Sequence, residues 1–194
     1  MKLYSDIGGT APSPRRVRIF IAEKGLDVPL ELLDLHKENR TEAFREKNPL
    51  RNLPVLELDD GTCISESMAI CRYLDELHPQ APLFGVDALE RATIEMWNRR
   101  AELSFYLAIE FAGGFLGEDV AERSRRGAYK MIDLFDRELA SHEFIAGSGF
   151  SVADITTKVA IDFGIAYNGF ELPVNAPQFA RWHAAMDDRP GASA

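Results

Sequence analysis

Residues 48–74 read NPLRNLPVLELDDGTCISESMAICRYL and contain the pattern that decides the fold. Two short apolar runs, at residues 54–58 and 62–64, flank Asp59-Asp60-Gly61, and a glycine between two such runs predicts the turn of a β-hairpin. The apolar residues then take a helical spacing that ends at His78-Pro79. The stretch therefore predicts two antiparallel strands followed by a helix.

The sequence before this stretch predicts a strand, a helix and a second strand. Residues 2–7 are strand-like, and Ser13 is a predicted N-cap with Pro14 at the first helical position. Gly25 predicts the end of that helix, and residues 29–35 predict the second strand. Since a strand–helix–strand order implies a right-handed crossover and a parallel pair, we expect a βαβ-ββα domain of the α/β class.

The remainder of the chain predicts a separate, all-α domain. Residues 79–87, PQAPLFGVD, have no periodic pattern and predict a linker. Amphipathic spacing over residues 88–111 and 120–140 then predicts two long helices, and residues 177–186 predict a short last one. Ser151 with an acid three residues later predicts a capping box. The expected domains are residues 1–78, the linker 79–87, and the helical residues 88–194.

Composition excludes several classes of function. The chain has 194 residues, of which 46% are hydrophobic, enough for a packed core without disulfides. Its 22 basic against 31 acidic residues give a net charge of −9, the wrong sign for neutralising a nucleic-acid backbone. No secretory or membrane-spanning apolar run is present, so we expect a cytoplasmic protein that binds neither nucleic acid nor membrane.

The residues that commonly bind metals or form disulfides are few and scattered. The two cysteines, Cys63 and Cys71, suit reduced core thiols better than a disulfide or a zinc site. The four histidines do not form a His-Glu-x-x-His pattern. We therefore expect no metal.

Two features of residues 48–74 suggest a ligand site. A bond that precedes proline can be cis, and a cis Leu53–Pro54 bond would turn the backbone of Leu53 out of the sheet toward another peptide; an ordinary edge proline is the alternative. Glu66 and Ser67 lie where a strand leads into a helix N-terminus, which favours an anion. Ser67 could hold a carboxylate and Glu66 an ammonium, unless Ser65 simply caps the helix.

The stretch 48–74 resembles the glutathione-site signature of the cytosolic glutathione S-transferases, in spacing and in residue types. The resemblance covers nearly the whole chain. It implies a thioredoxin-like N-terminal domain, an all-helical C-terminal domain and, usually, a two-fold homodimer. In the second half the matching motifs are Met96-Trp97-Asn98-Arg99-Arg100, Phe144-Ile145-Ala146-Gly147, Ser151-Val152-Ala153-Asp154 and Arg181-Trp182-His183.

The resemblance also implies how glutathione binds. Leu53 would pair through its backbone with the cysteinyl part of glutathione, with Pro54 cis, while Glu66 and Ser67 would hold the γ-glutamyl end. Two cations, Lys37 and Arg40, occupy the segment that reaches the glycyl carboxylate in the family, although a solvated loop is an equal alternative.

An apolar pocket for the electrophile is expected between the domains. The loop of residues 7–12 and the long helix around Phe105, Tyr106 and Phe111 would line it. Aromatic residues at this spacing are also typical of a helical core. A small-molecule electrophile is thus the second expected ligand.

The catalytic group is where the sequence departs from the family pattern. The reaction needs a thiolate, and a thiol with a pKa of about 8.5 is mostly protonated at neutral pH. Ala11 holds the position where many relatives carry a catalytic Ser or Cys, and no cysteine lies in this loop, which disfavours thiol–disulfide exchange. We rank the hydroxyls of Thr10, Ser13 and Tyr4 in that order. Capping would occupy the oxygen of Ser13, and a strand tyrosine suits the core equally well.

The implied function is a glutathione transferase that conjugates glutathione to an apolar electrophile, as in detoxification. A glutathione-dependent isomerase or dehalogenase is an alternative within the enzymes. A second alternative is not an enzyme: Ala11 suggests a non-catalytic binding module with the transferase fold.

Overall fold

The computed structural model describes residues 1–147, 149–192 and 194, and it divides the chain into two compact units. The first comprises Met1–Ala81 with the described residues of Pro190–Ala194, and the second comprises Pro82–Arg189. The division falls inside the segment 79–87. The C-terminal residues group with the first unit because the backbone N–H of Gly191 donates to Glu23 Oε1 at 3.0 Å.

The first unit has the predicted βαβ-ββα order. Its elements in chain order are β1 (Lys2–Asp6), α1 (Pro12–Glu23), β2 (Leu30–Leu33), a 3₁₀ turn (Glu38–Arg40), α2 (Glu42–Lys47), β3 (Val55–Glu57), β4 (Cys63–Ser65) and α3 (Ser67–Leu77).

A four-stranded mixed sheet lies at the centre of this unit, in the order β2-β1-β3-β4. β1 pairs with β2 in parallel and with β3 antiparallel, and β3 and β4 form the predicted hairpin. Leu3, at the middle of these pairings, is fully buried, as are Phe20 of α1 and Ile70 of α3. The helices therefore cover apolar residues of the sheet, as the α/β prediction requires.

The start of α1 differs from the prediction. Ala11 is the N-cap and Pro12 the first helical residue, so Ser13 lies inside the helix and is not its cap. The N–H of Arg15 donates to the Ala11 carbonyl at 3.0 Å, which closes the first helical turn. The first N–H groups of a helix have no intrahelical acceptor, so prolines at both 12 and 14 are tolerated there. The prediction of Ser13 as N-cap and Pro14 as the first helical residue is therefore wrong.

The second unit is all-helical, as predicted. Its aromatic core includes Phe105, Phe135, Phe179 and Trp182, each fully buried. Within the described residues, no helix combines the length and apolar character needed to cross a bilayer. Its elements are α4 (Ala88–Arg99), a π-helical segment (Arg100–Tyr106), α5 (Leu107–Phe111), α6 (Glu118–Leu139), α7 (Val152–Tyr167) and α8 (Pro177–Met186).

The predicted capping box at the start of α7 is confirmed. The Ser151 side chain accepts from the backbone of α7, and the Asp154 carboxylate accepts from the backbone N–H of Ser151 at 3.0 Å. Asp154 also accepts from the N–H of Ile145 and from the indole N–H of Trp182, both at 2.9 Å. One buried carboxylate therefore joins the start of α7 to the preceding loop and to α8.

Candidate functional site

The loop between β1 and α1 is held by a buried ion pair. Asp6 Oδ1 lies 2.8 Å from a guanidinium nitrogen of Arg18, and both side chains are buried. Asp6 Oδ2 accepts from the backbone N–H of Thr10 at 3.0 Å and of Ala11 at 3.2 Å. Arg18 also donates to the carbonyl of Gly9. The N–H groups of Thr10 and Ala11 are therefore directed at Asp6.

Thr10 and Ser13, the first two catalytic candidates, lie on either side of the start of α1. Thr10 is exposed and Ser13 is half-buried. Ser13 is the second residue of α1, between Pro12 and Pro14, neither of which has an N–H. Since α1 has no side-chain cap, the prediction that capping occupies the Ser13 oxygen is wrong.

Tyr4, the third candidate, belongs to a network within the sheet. Its hydroxyl donates to Glu57 Oε2 at 2.6 Å, and Lys47 Nζ lies 2.9 Å from the other oxygen of Glu57. The Tyr4 ring is buried and packs edge-on against Phe44. Burial first, and then the Glu57 carboxylate, raise the pKa of Tyr4 above its usual value. The Tyr4 proton is therefore already engaged inside the protein.

Leu53 and Pro54 lie immediately before β3. The peptide bond between them is cis, and the Leu53 side chain is buried with Val55 and Phe44. Among the residues that the structure describes, the backbone N–H and C=O of Leu53 have no hydrogen-bond partner. The N–H and C=O of Leu53 can therefore form hydrogen bonds with the backbone of another peptide.

Glu66 and Ser67 form the start of α3. Glu66 is the N-cap residue, is exposed, makes no side-chain cap and has φ = 69°, a positive value that is rare for a residue with a side chain. Ser67 is the first helical residue and is 6% exposed. Helix capping by Ser65, the alternative considered from the sequence, is therefore wrong.

A residue that the sequence analysis missed lies behind Ser67. Arg16 of α1 is 1% exposed, and its Nη1 donates to Ser67 Oγ at 2.8 Å. The available signal was its helical position: Arg16 lies three and four residues before the buried Ile19 and Phe20, on the face that turns inward. A cation there needs a polar partner.

Lys37 immediately precedes the 3₁₀ turn after β2 and Arg40 ends it; both residues are exposed. The Lys37 ammonium lies 3.1 Å from Asp34 Oδ2, and this hydrogen bond raises the pKa of Lys37. Between them, Asn39 is buried and its Nδ2 donates to the carbonyl of Arg51 at 2.8 Å. Asn39 therefore anchors the segment that carries the two cations.

The three aromatic candidates have different surroundings within the helical unit. Phe105 is fully buried, with ring centroids 5.3 Å from Phe135 and 6.3 Å from Phe179, so it presents no surface to a ligand. Tyr106 is half-buried against the same core. Phe111 is half-buried and contacts the ring of exposed Phe115 at 5.9 Å. Of the three, only Tyr106 and Phe111 have exposed surface.

The residues of the first unit suit an anionic peptide such as glutathione. The open peptide at Leu53 can pair with a backbone, and the hydroxyl of Ser67, backed by the buried Arg16, can bind a carboxylate. α3 has no acidic residue in its first turn to compete for its N–H groups. The described residues contain no cluster of three or more His, Cys, Asp or Glu that could hold a metal.

Comparison with known proteins shows the family of the chain. Residues 10–77 match the model of the glutathione S-transferase N-terminal domain, and residues 101–190 match that of the C-terminal domain. The chain is 36% identical to glutathione S-transferase 2 of Saccharomyces cerevisiae over 205 aligned residues, covering 98% of this chain and 87% of that protein. The chain belongs to the cytosolic glutathione S-transferase family of enzymes, and its thioredoxin-like and all-helical units have the fold of that family.

Two solved structures extend the comparison. A glutathione S-transferase of class Gtt2 from Vibrio parahaemolyticus is 37% identical with a TM-score of 0.89, covering 99% of this chain and 95% of that one. A glutathione S-transferase from Methylobacillus flagellatus, solved with glutathione bound, is 27% identical with a TM-score of 0.86, covering 98% and 96%.

Proposed function

We propose that the protein binds reduced glutathione in its first unit and conjugates it to an apolar electrophile. The observation that carries the proposal is the Ser67 hydroxyl at the N-terminus of α3, 2.8 Å from the buried guanidinium of Arg16. A helix N-terminus with a nearby cation attracts a carboxylate. The relative from Methylobacillus flagellatus, which binds glutathione, supports the same ligand here.

Each end of glutathione has candidate partners in the first unit. Ser67 binds the γ-glutamyl carboxylate and Glu66 its ammonium, while the backbone of Leu53 pairs with the cysteinyl part beside Pro54. Arg40 and Lys37 attract the glycyl carboxylate. Because the whole chain carries a net charge of −9, these local cations favour binding of an anion that the rest of the surface repels.

Glutathione supplies the thiol whose sulfur, as a thiolate, attacks the electrophile. The residues at the start of α1 stabilise the thiolate charge, and each unit by which they lower the thiol pKa needs about 1.4 kcal/mol of preferential stabilisation. Because Asp6 holds the N–H groups of Thr10 and Ala11, the remaining donors are the hydroxyls of Thr10 and Ser13 and the N–H of Ser13. The Ser13 side chain makes no cap hydrogen bond at the start of α1. This supports a larger role for its hydroxyl than the sequence alone indicated.

The helical unit supplies apolar surface for the electrophile. Tyr106 and Phe111 are the proposed contacts, since both are half-buried. Phe105 supports them from the core. The substrate class is therefore an apolar molecule with an electrophilic carbon.

A homodimer, the usual assembly of the family, is also part of the proposal. Leu89 and Met96, seven residues apart in α4, are 77% and 42% exposed. Apolar residues seven apart share one face of a helix and are typical of a helix–helix interface. A second copy of the chain is the proposed occupant of this face.

Calorimetric titration with reduced glutathione tests the binding step. We expect saturable binding by the parent protein, about 10-fold weaker binding by Ser67→Ala, and unchanged binding by Ser104→Ala, a substitution at an exposed serine of the helical unit. No binding by the parent protein would contradict the proposal.

Steady-state conjugation assays test the chemical step. Thr10→Ala and Ser13→Ala are compared with the parent for kcat and for the glutathione KM. A hydroxyl that stabilises the thiolate should lower kcat roughly 10- to 100-fold when it is removed, with little effect on KM. Binding without turnover of any electrophile would instead favour the non-catalytic module.

A further inference from the structure

We propose that Arg16 is a positioning residue that keeps the proton of the Ser67 hydroxyl available to the ligand and so gives the site its preference for a ligand carboxylate. The inference rests on the proposed function, since it concerns glutathione binding at Ser67. It assigns a specificity-determining task to a residue of α1 that lies 51 positions away in the chain.

The contact joins two helices inside the first unit. Arg16 and Ser67 are 1% and 6% exposed, and the distance from Nη1 to Oγ is 2.8 Å. Helices α1 and α3 pack against each other, so neither side chain can move away without disturbing that packing. The geometry of the pair is therefore fixed before any ligand binds.

The chemistry of the guanidinium decides which way the hydroxyl points. A guanidinium has five N–H donors, no acceptor and a permanent charge, so Ser67 Oγ must be the acceptor in this contact. The hydroxyl proton is then available to a second partner. Because a hydroxyl that accepts from a cation is polarised, it is a stronger donor than an isolated serine.

The surroundings reinforce this polarity. The buried charge of Arg16 is poorly screened by water, and it adds to the positive end of α3. After the N-cap residue Glu66, the first turn of α3 contains no acidic residue. A carboxylate at this position thus meets a donor and a positive potential, whereas a group without an acceptor cannot use the Ser67 proton.

The test compares two ligands in calorimetric titrations. One is reduced glutathione, and the other is γ-aminobutyryl-cysteinyl-glycine, which keeps the amine but has hydrogen in place of the γ-glutamyl α-carboxylate. We expect the parent protein to prefer glutathione at least 10-fold, in line with a hydrogen bond to a charged group. Arg16→Met and Ser67→Ala should both reduce that preference to within about threefold, and the double variant should reduce it no further.

The control variant is Arg15→Met. Arg15 is the neighbouring arginine of α1, and its side chain donates to the carbonyls of Ala194 and Ala192. It should leave both dissociation constants unchanged. Arg16→Lys, which keeps the charge and a donor, should restore part of the preference that Arg16→Met removes.

The outcomes separate this inference from the proposed function. If the parent protein binds neither ligand, both fail. If it prefers glutathione and Arg16→Met keeps that preference, or weakens both ligands equally as a loosened fold would, only the role of Arg16 is overturned. A measurement on the parent needs no variant: the side-chain ¹⁵N resonance of Arg16 should shift with glutathione and not with the analogue, and equal shifts would overturn the inference.

Discussion

The ammonium of Lys24 lies 2.8 Å from the Asp75 carboxylate, and the two side chains are only 2% and 8% exposed. Lys24 also donates to the carbonyls of His78, Gln80 and Ala81, at 2.6, 2.8 and 3.2 Å. This single cation therefore joins the end of α1 to the end of α3 and to the segment that follows it.

Replacing Lys24 with methionine should lower the free energy of unfolding by about 3–5 kcal/mol, because the buried Asp75 carboxylate would lose its ion pair with the ammonium. Urea denaturation measures the change. Lys130→Met, at an exposed lysine of α6, should change it by less than about 0.5 kcal/mol. A loss below about 1 kcal/mol for Lys24→Met would contradict the structural role.

The ion pair of Asp6 and Arg18 should affect both activity and stability. Asp6→Asn should lower kcat/KM about 10-fold, because the loop that carries Thr10 loses its charged anchor. It should also destabilise the protein by about 3 kcal/mol, since the guanidinium of Arg18 stays buried after it loses the negative charge of Asp6. The matched control is Asp188→Asn, at an exposed aspartate, which should change neither quantity.

The double variant Asp6→Leu/Arg18→Met separates the two effects. Removing both charges should recover much of the stability but not the activity. Recovery of both would mean that the ion pair stabilises the fold without positioning the loop.

The carboxyl of Asp154 should titrate far above the usual range. Burial raises its pKa to about 6 despite the hydrogen bonds that it accepts. The folded protein then retains a proton that the unfolded chain releases above about pH 4, so the contribution of Asp154 to stability decreases as pH rises from about 4 to 6. Carbon-13 NMR of the labelled carboxyl checks the midpoint. Titration below pH 4 would reverse the sign of this contribution.

The two thiols should be poor nucleophiles. Burial raises the pKa of Cys71 to about 12 and raises that of Cys63 as well, so both are protonated at neutral pH. With a chromogenic disulfide reagent, Cys63 should react slowly, and its reaction rate should rise about 10-fold for each unit of increase in pH. Cys71 should react only after unfolding. Cys63→Ser should keep kcat/KM within about twofold; a larger loss would give this thiol a part in catalysis.

The exposed face of α4 should determine whether the protein forms a dimer. If it forms the homodimer, the parent protein should have a solution mass of twice 21.7 kDa, and Leu89→Glu/Met96→Glu should have a mass of 21.7 kDa by light scattering. Val174→Glu, at a fully exposed valine, should not change the mass. A dimer that survives the double substitution would place the interface elsewhere.

Much of the fold was predictable from patterns within a few residues. The hairpin around Gly61, the parallel crossover and the capping box of Ser151 and Asp154 all follow from local spacing, because turn and cap chemistry involves neighbours in the chain. The resemblance of residues 48–74 then indicated the family, and the matches to both family domains confirm it.

Only the tertiary structure determined which residues far apart in the sequence contact each other. Tyr4 became a partner of Glu57, and Ser67 of Arg16, because the sheet and the α1–α3 packing bring them together. Local spacing predicted a start of α1 after Ser13, whereas in the fold the helix begins at Pro12, beside the loop that Asp6 and Arg18 hold. A buried charge is stable only with a partner, and topology determines where that partner lies.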